Sequence, residues 1–494
     1  MLNFEPCSIE LLKRMTPVFR RLPTQCAELS AGTIWMWRTE QAPQICLKND
    51  TLVLRQVMNG YPAFTWPVGA DVDGMLDALA EQVRAEDIAL RFFAMDEAAL
   101  EWLLADPRFP STMWGYDRRW SDYLYPFEPF TTLEGRVMHR LRYRVNHFAR
   151  LYGESEMRPL APEHIPPALR LMEIYALEHP DPDKLEAAEL RHSRELLLAC
   201  HALGLPAAGL WLGDELVAFI IGEVVGETLM IHVQKALLHY ADVSATIFHG
   251  FIRYVMDIGY VGLRWINWED DSGDLGLRES KELYHPHKLL HKYQAHVRAP
   301  GAAVREYPVI PAGEVVLTPF REEDKPVYYR MNTDRENNRW WGYDYEEDYT
   351  VPSAPDESTF YDSAQFDMSV GDSMNFAVRR RPDGPMIGEI LLWNFTDAGN
   401  ADIGLRLMPK YHGMGFSHMA YTALIHYAEA ALGLNVRARC CNDPANTRAL
   451  RALLEVGFRE TGRDDTWIYL GRERGAKQNT YENIEATKAA QAEQ

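Results

Sequence analysis

Gly413-Met414-Gly415 stands between a run that alternates apolar and polar residues and a run with a helical apolar stripe. N–H groups at the start of a helix have no partner within it and sit at its positive end. Glycines just before them let a ligand reach the backbone, so the chemistry this spacing suits is the holding of phosphate. The same pair also serves as ordinary turn chemistry, and the residues alone leave both readings open. Further on, Asn442-Asp-Pro-Ala-Asn446-Thr447 opens another helical run that closes at Gly457-Phe458. A second polar cluster, Asn267-x-Glu269-x-Asp271 with Arg278, Lys281 and Tyr284, follows a strand pattern, the place where open α/β sheets often put ligands. Arg136, Arg140, Arg142, Arg144 and Arg150, with His139 and His147, fall in one stretch that contains no acid. That stretch is either a solvated helix face or a contact surface for a phosphate-bearing substrate, with arginine supplying bidentate forks.

The elements that must place these groups follow from periodicity. Ile403, Leu405 and Leu407 alternate as on a strand, Pro409 ends it, and a helix starts at Phe416 with Ala420, Leu424, Tyr427, Ala428 and Ala431 on an apolar stripe. A strand over 436–440 and a helix from 447, lined by Leu450, Leu453 and Leu454, come next. Ahead of them, helices over 9–19, 75–83, 97–104, 165–175, 193–203 and 245–258 alternate with strands, among them a hairpin turning at Gly213-Asp214. Residues 299–314, with Pro, Gly and Ala, read as a linker, and the polar end from 472 to 494 as a frayed tail. With 494 residues, 47% hydrophobic and 25% charged, the composition is that of an ordinary globular protein of about three domains. A net charge of −20 argues against unspecific nucleic-acid binding. No apolar run reaches the roughly 20 residues of a membrane span, the first residues lack a secretory pattern, and six scattered cysteines fit a reduced, cytoplasmic setting.

Two resemblances follow. Pro409, Gly413, Gly415, Asn442, Asn446, Gly457 and Phe458 resemble the GNAT acyltransferase superfamily, with His412, Ser417 and Thr447 as departures from its pattern. The stretch Arg140 to Gly153, the run 218–223 and the Asn267-to-Pro286 cluster are similar to the catalytic domain of phosphatidylglycerol lysyltransferases and their soluble relatives. Together they imply an α/β (α+β) protein of three GNAT-like mixed-sheet units. These are a tandem pair over 1–135 and 136–298, the 299–314 linker, and a separate GNAT domain over 315–471. The first resemblance implies acetyl-CoA as acyl donor, held by Leu407, Lys410, His412, Gly413, Met414, Gly415, Phe416, Ser417, Asn442, Asn446 and Thr447. An amine on a small molecule, a peptide or a protein N-terminus would be the acceptor. The second implies an aminoacyl-tRNA donor, with Arg140, Arg144, Asn267, Glu269, Asp271, Arg278, Lys281 and Tyr284 as its site, unless the pair only recruits substrate. The missing membrane part of the lysyltransferases argues against a lipid acceptor.

Acetyl transfer needs a deprotonated amine, a polarised carbonyl and a protonated leaving thiolate. Glu389 and Asp402 lie on strands expected to flank the cleft, where either serves as base, directly or through water, if burial raises its pKa; a solvated strand edge is the alternative. At the position where many GNAT enzymes carry a general-acid tyrosine stands Leu453. The loop from Trp340 to Tyr349, aromatic and acidic, walls an acceptor site for a cationic amine or is a packed surface loop. His287 and His291, spaced one helical turn apart near His285 and His296, lack a completing ligand, so no metal is expected. Cys440-Cys441 fits a core role.

Overall fold

The computed structural model describes residues 1–58, 60–178, 184–304, 307–342, 345 and 355–472. They form three mixed sheets. The first runs Glu5–Pro6, Gln44–Lys48, Thr51–Met58, Tyr61–Thr65, Arg91–Met95, Tyr293–His296, Met113–Gly115. The second runs Lys288–Leu290, Asp122–Pro126, Trp265–Asn267, Thr228–Ala236, Glu215–Val225, Ala207–Leu212, Glu156–Pro159. The third runs Ile310–Ala312, Val315–Thr318, Ser373–Arg379, Met386–Trp393, Asn400–Leu407, Asn435–Cys441, Trp467–Gly471, Arg459–Arg463.

One theme recurs in all three. Two neighbouring parallel strands are joined by a helix, as parallel neighbours require. The joining helices are Val72–Ala85, Val243–Asp257 and Phe416–Ala430. In the second and third sheets the parallel pairing stops early. Thr228–Ala236 meets its partner only from Thr228 to Met230, and Asn400–Leu407 only from Asn400 to Asp402. Past those residues the strands part. In the third sheet Asn435–Cys441 keeps its other neighbour, Trp467–Gly471, and in the second Trp268 and Glu269 stay bonded to Tyr123. Each sheet is therefore open as a wedge on one side.

The front two sheets exchange strands. Tyr293–His296 lies in the first sheet, and Asp122–Pro126 lies in the second, ahead of the 135/136 boundary expected from sequence. The N-terminal helices Ile9–Phe19 and Ala31–Met36 pack on the second sheet through Leu12, Phe19 and Ile34 against Phe219 and Ile221. The expected linker carries the strand Ile310–Ala312, paired with Val315–Thr318, because Ile310 and Ala312 alternate onto the rear core. Of the expected tail, Arg472 is bound, donating to the Val456 carbonyl and pairing with Glu429; the remainder lies outside the described residues.

The rear domain docks on the first sheet through its helix Thr359–Val370, where Val370 and Phe366 lie against Gly115, through a bond from buried His296 to the Gly371 carbonyl, and through charged pairs. Arg437 meets Asp87 at 2.9 Å, Arg298 meets Asp397 at 2.5 Å and Arg91 meets Asp372 at 2.9 Å.

Candidate functional sites

In the rear domain, Ala401, Ile403 and Leu407 are buried toward the helix Phe416–Ala430, while Asp402 and Arg406 take the opposite face. Beyond Pro409 the loop stays exposed. His412 ties it down, its Nε2–H donating to the Leu407 carbonyl at 2.9 Å. Gly413 and Gly415 have φ of +76° and +78°, and a Cβ on either would meet nothing within 4 Å. Both glycines therefore serve backbone shape, and the space above them is open. Gly415 caps the helix without a side-chain bond, which leaves the N–H groups of Phe416, Ser417 and His418 facing that space. Lys410 and Met414 border it. Arg380, which the sequence reading missed, lies with its guanidinium 5.6 Å from the Phe416 ring. Asn442 instead donates to the Asp464 carbonyl, in the turn between the last two strands, at 2.6 Å, and Asn446 to the Cys441 carbonyl of its own turn at 3.2 Å, with Thr447 exposed beside them.

The three joining helices differ at their N-termini. Val72–Ala85 is capped by Asp71, whose carboxylate accepts from the Gly74 N–H at 3.0 Å. Val243–Asp257 begins after Asp242, left-handed at φ +62°, whose carboxylate is held by Arg144 at 2.7 Å and His147 at 2.8 Å. Only Gly415 brings no carboxylate. At the first terminus a carboxylate already occupies the helix end, at the second the carboxylate is paired with Arg144, and at the third no side chain stands before the N–H groups, which suits an anion.

On the opposite face of the rear sheet, a Cβ at Gly404 would meet Trp341 at 2.7 Å, and one at Gly342 would meet Trp467 at 2.6 Å. Trp341 and Gly342 thus cross the wedge from one parted strand toward the other. Of the expected aromatic loop, residues 343–344 and 346–349 lie outside the described residues. Glu389 is 1% exposed, accepting from Tyr328 and Asn375 at 2.8 Å each and pairing with Arg406 at 2.6 Å. Asp402 accepts from Asn394 at 2.9 Å and lies 3.3 Å from Arg437, toward the front domain. The two carboxylates do not converge, and each already holds an arginine. Leu453 is core, as is Cys440. Tyr421, hidden in the helix's apolar stripe, brings its hydroxyl to the Leu405 N–H in the wedge, and burial keeps it protonated.

In the front pair, most of the expected second site braces a loop. Asn267 donates to Asp122 and to the Gln25 carbonyl, and accepts from the Glu269 N–H, all at 2.7 Å. Asp271 is clamped by Arg118, Arg278, Tyr123 and the Gly273 N–H; these bonds overcome its burial and hold its carboxyl well below the usual range. Lys281, 5% exposed, is spent on the Trp268 and Asp270 carbonyls, at 2.6 and 2.5 Å. Arg144 also bonds the Tyr284 hydroxyl at 2.8 Å, while Arg140 is exposed on the basic helix His139–Tyr152. Glu269 differs from the rest. Its backbone is left-handed at φ +51°, one carboxylate oxygen meets His232 Nδ1 at 2.8 Å, and the side chain is 27% exposed. His232 is fully buried, with Nε2 3.3 Å from Glu223, and Glu223 accepts from the Ala31 and Gly32 N–H groups at 3.0 and 2.8 Å. Burial pulls the His232 pKa down, and the two carboxylates more than reverse this, to about 9. Sequence reasoning missed His232, and met Glu223 only as the end of the run 218–223 without a role, since each sits alone in an apolar strand.

His287 and His291 are not on a helix: the strand Lys288–Leu290 separates them, drawn in by pairing with Asp122–Pro126. His291 bonds Ser121 at 3.0 Å and stacks on Tyr116. Among the described residues no group of three His, Cys, Asp or Glu is placed to hold a metal ion, and no helix is long and apolar enough to cross a membrane.

Residues 19–296 match the family described as phosphatidylglycerol lysyltransferase, C-terminal, and residues 314–459 match the GNAT acetyltransferase domain. No curated protein matches the chain. Among solved structures, a conserved protein of unknown function from Bacteroides thetaiotaomicron is 26% identical, covering 60% of this chain and 100% of its own, with a TM-score of 0.55. L-PGS from Bacillus licheniformis is 14% identical over 59% of this chain and 92% of its own, with a TM-score of 0.42. Spermidine N-acetyltransferase from Vibrio cholerae, in complex with CoA and spermine, is 16% identical over 33% of this chain and 97% of its own, with a TM-score of 0.29.

Proposed function

We propose that this chain, which belongs to the phosphatidylglycerol lysyltransferase C-terminal family and carries a GNAT acetyltransferase domain behind that region, transfers acetyl from acetyl-CoA to an amine in its rear domain. The observation that carries the reading is the open helix start at Gly415, the one of three without a carboxylate. Pyrophosphate would lie against the N–H groups after Gly415, with Lys410 and Arg380 able to add charge. Beyond Asp402 the edge of Asn400–Leu407 has no parallel strand beside it, and this edge, with the Tyr421 hydroxyl at the Leu405 N–H, would face the thioester arm and its carbonyl. Trp341, Trp393 and Trp467 give the acceptor side apolar walls that suit the stem of an amine-bearing small molecule or a peptide N-terminus. Glu389 and Asp402 remain the assigned bases, acting through water because an arginine occupies each. The test is thiol release from acetyl-CoA with a panel of polyamines, amino acids and short peptides. Amine-dependent release supports the reading; CoA binding with no release for any amine would reduce the domain to a binding module.

A second reading, aminoacyl transfer by the front pair, is supported by the family match over residues 19–296. At the middle helix start Asp242, bonded to Arg144 and His147, stands where Gly415 leaves the rear helix open.

A further inference from the structure

The wedge in the middle sheet holds a group arrangement that the rear-domain reaction does not use. Thr228–Ala236 leaves its parallel partner after Met230. Two residues later His232 is the extra residue of a bulge, since Ile231 faces Gly222 and Val233 faces Ile221. A bulge turns a side chain out of its regular alternation. Here it turns the imidazole across the wedge to Glu269, which lies two residues past Asn267, the last paired residue of the partner strand. Glu269 reaches it only by adopting a left-handed backbone, a costly conformation for glutamate that the Asn267 side chain and the Tyr123 backbone enforce. Behind the imidazole, Glu223 is pinned by two N–H groups at the start of Ala31–Met36. Gly32 must lack a side chain, because a Cβ there would lie 2.4 Å from the imidazole. Of the Glu269 carboxylate, Oε1 is taken by His232, with Thr33 at 3.5 Å, and Oε2 has no partner among the described residues. Buried carboxylate, buried imidazole and part-exposed carboxylate thus form a line that ends on one free oxygen in the opening.

We propose that Glu269, positioned by His232 and Glu223, is the proton-accepting group of a second transfer site in the middle unit, separate from the CoA-dependent one. The site takes an acceptor amine or hydroxyl and an aminoacyl ester donor, the donor class resting on the family to which the front region belongs. As the acceptor nitrogen or oxygen bonds to the ester carbonyl carbon, its proton passes to Glu269 Oε2. The ester C–O bond breaks, and the leaving ribose oxygen takes that proton back. His232 keeps its own proton on Nδ1, bonded to Oε1, and so holds the carboxylate in the opening.

The test uses the full chain without CoA, tRNA charged with radiolabelled lysine, and hydroxylamine as a small acceptor, counting hydroxamate formed above the uncatalysed rate across pH. The charged groups facing the imidazole are Glu223 and Glu269, so these and His232 set the profile. Glu269→Gln should remove about 100-fold or more of the acceleration. His232→Gln should lose less, and should move the acidic limb of the profile to higher pH, because a positive neighbour of the carboxylate is gone. Circular dichroism melts establish that both variants fold. An acceleration unchanged in both variants, or none in the wild type, would overturn the proposal. Loss of activity in His232→Gln with an unmoved limb would make His232 merely structural and contradict its positioning role. Failure of acetyl-CoA to bind would not bear on this site and would contradict only the rear-domain reading.

Discussion

His232 gives the middle unit a pH signature. Its pKa is about 9 in the folded protein against an ordinary 6.5, so its contribution to stability is complete below pH 6.5 and is lost as pH rises through about 9. The loss should be on the order of 3 kcal/mol. Melting temperature of the wild type should fall over that window, and that of His232→Gln should start lower and stay flatter; parallel curves would contradict the assigned charge. Gly32→Ala tests the same packing without touching a charge. Its Cβ has no room beside the buried ring, so the cost should be about 1–3 kcal/mol by chemical denaturation. At this scale the sequence was legible where a residue's type already limits its use. Gly413 and Gly415 lie at positive φ, where glycine is the natural choice, so their spacing carried meaning. His232 did not show, because a lone histidine among Ile231 and Val233 looks like any core residue. Only the bulge and the early end of strand pairing give it a direction.

Among the elements, the helices over 9–19 and from 416, and the hairpin at 213–214, follow from apolar period and turn residues, and the structure places them there. The wedges were not legible. They come from register between strands far apart in sequence, which local patterning does not encode. The helix start at Asp242 shows the same limit: Gly415 and Asp242 are unlike residues in like positions, and the comparison exists only once both sheets are seen. A buried pair ties the first helix of the rear domain to its sheet. Arg379, 1% exposed, grips Asp324 with both terminal nitrogens, at 2.9 and 2.5 Å, and also bonds Thr318 and the Gly384 carbonyl. Asp324→Ala leaves that guanidinium without its carboxylate and should cost about 3–5 kcal/mol by thermal melts of the full chain. A loss under 1 kcal/mol would mean that the pair is solvated.

In the whole molecule, the three units are not beads on a string. The front sheets trade strands, and the rear domain rests on the first sheet through Asp397, whose side chain is 2% exposed and bonds Arg298 and the Leu90 N–H. Calorimetry should therefore show one unfolding transition for the wild type and two for Asp397→Ala with Asp87→Ala, since those carboxylates hold Arg298, the Leu90 N–H, Arg437, Thr396 and Asn400 across the contact; two transitions in the wild type would contradict the coupling. The most direct test of the central claim is calorimetric titration of acetyl-CoA into the whole protein and into Gly415→Asp. Aspartate tolerates the left-handed backbone, as Asp242 does at the middle helix, and puts a carboxylate before the open N–H groups. One site is expected in the wild type, weakened about 100-fold or more by that single carboxylate set against the pyrophosphate. Two sites, or one site of unchanged affinity in Gly415→Asp, would contradict the claim.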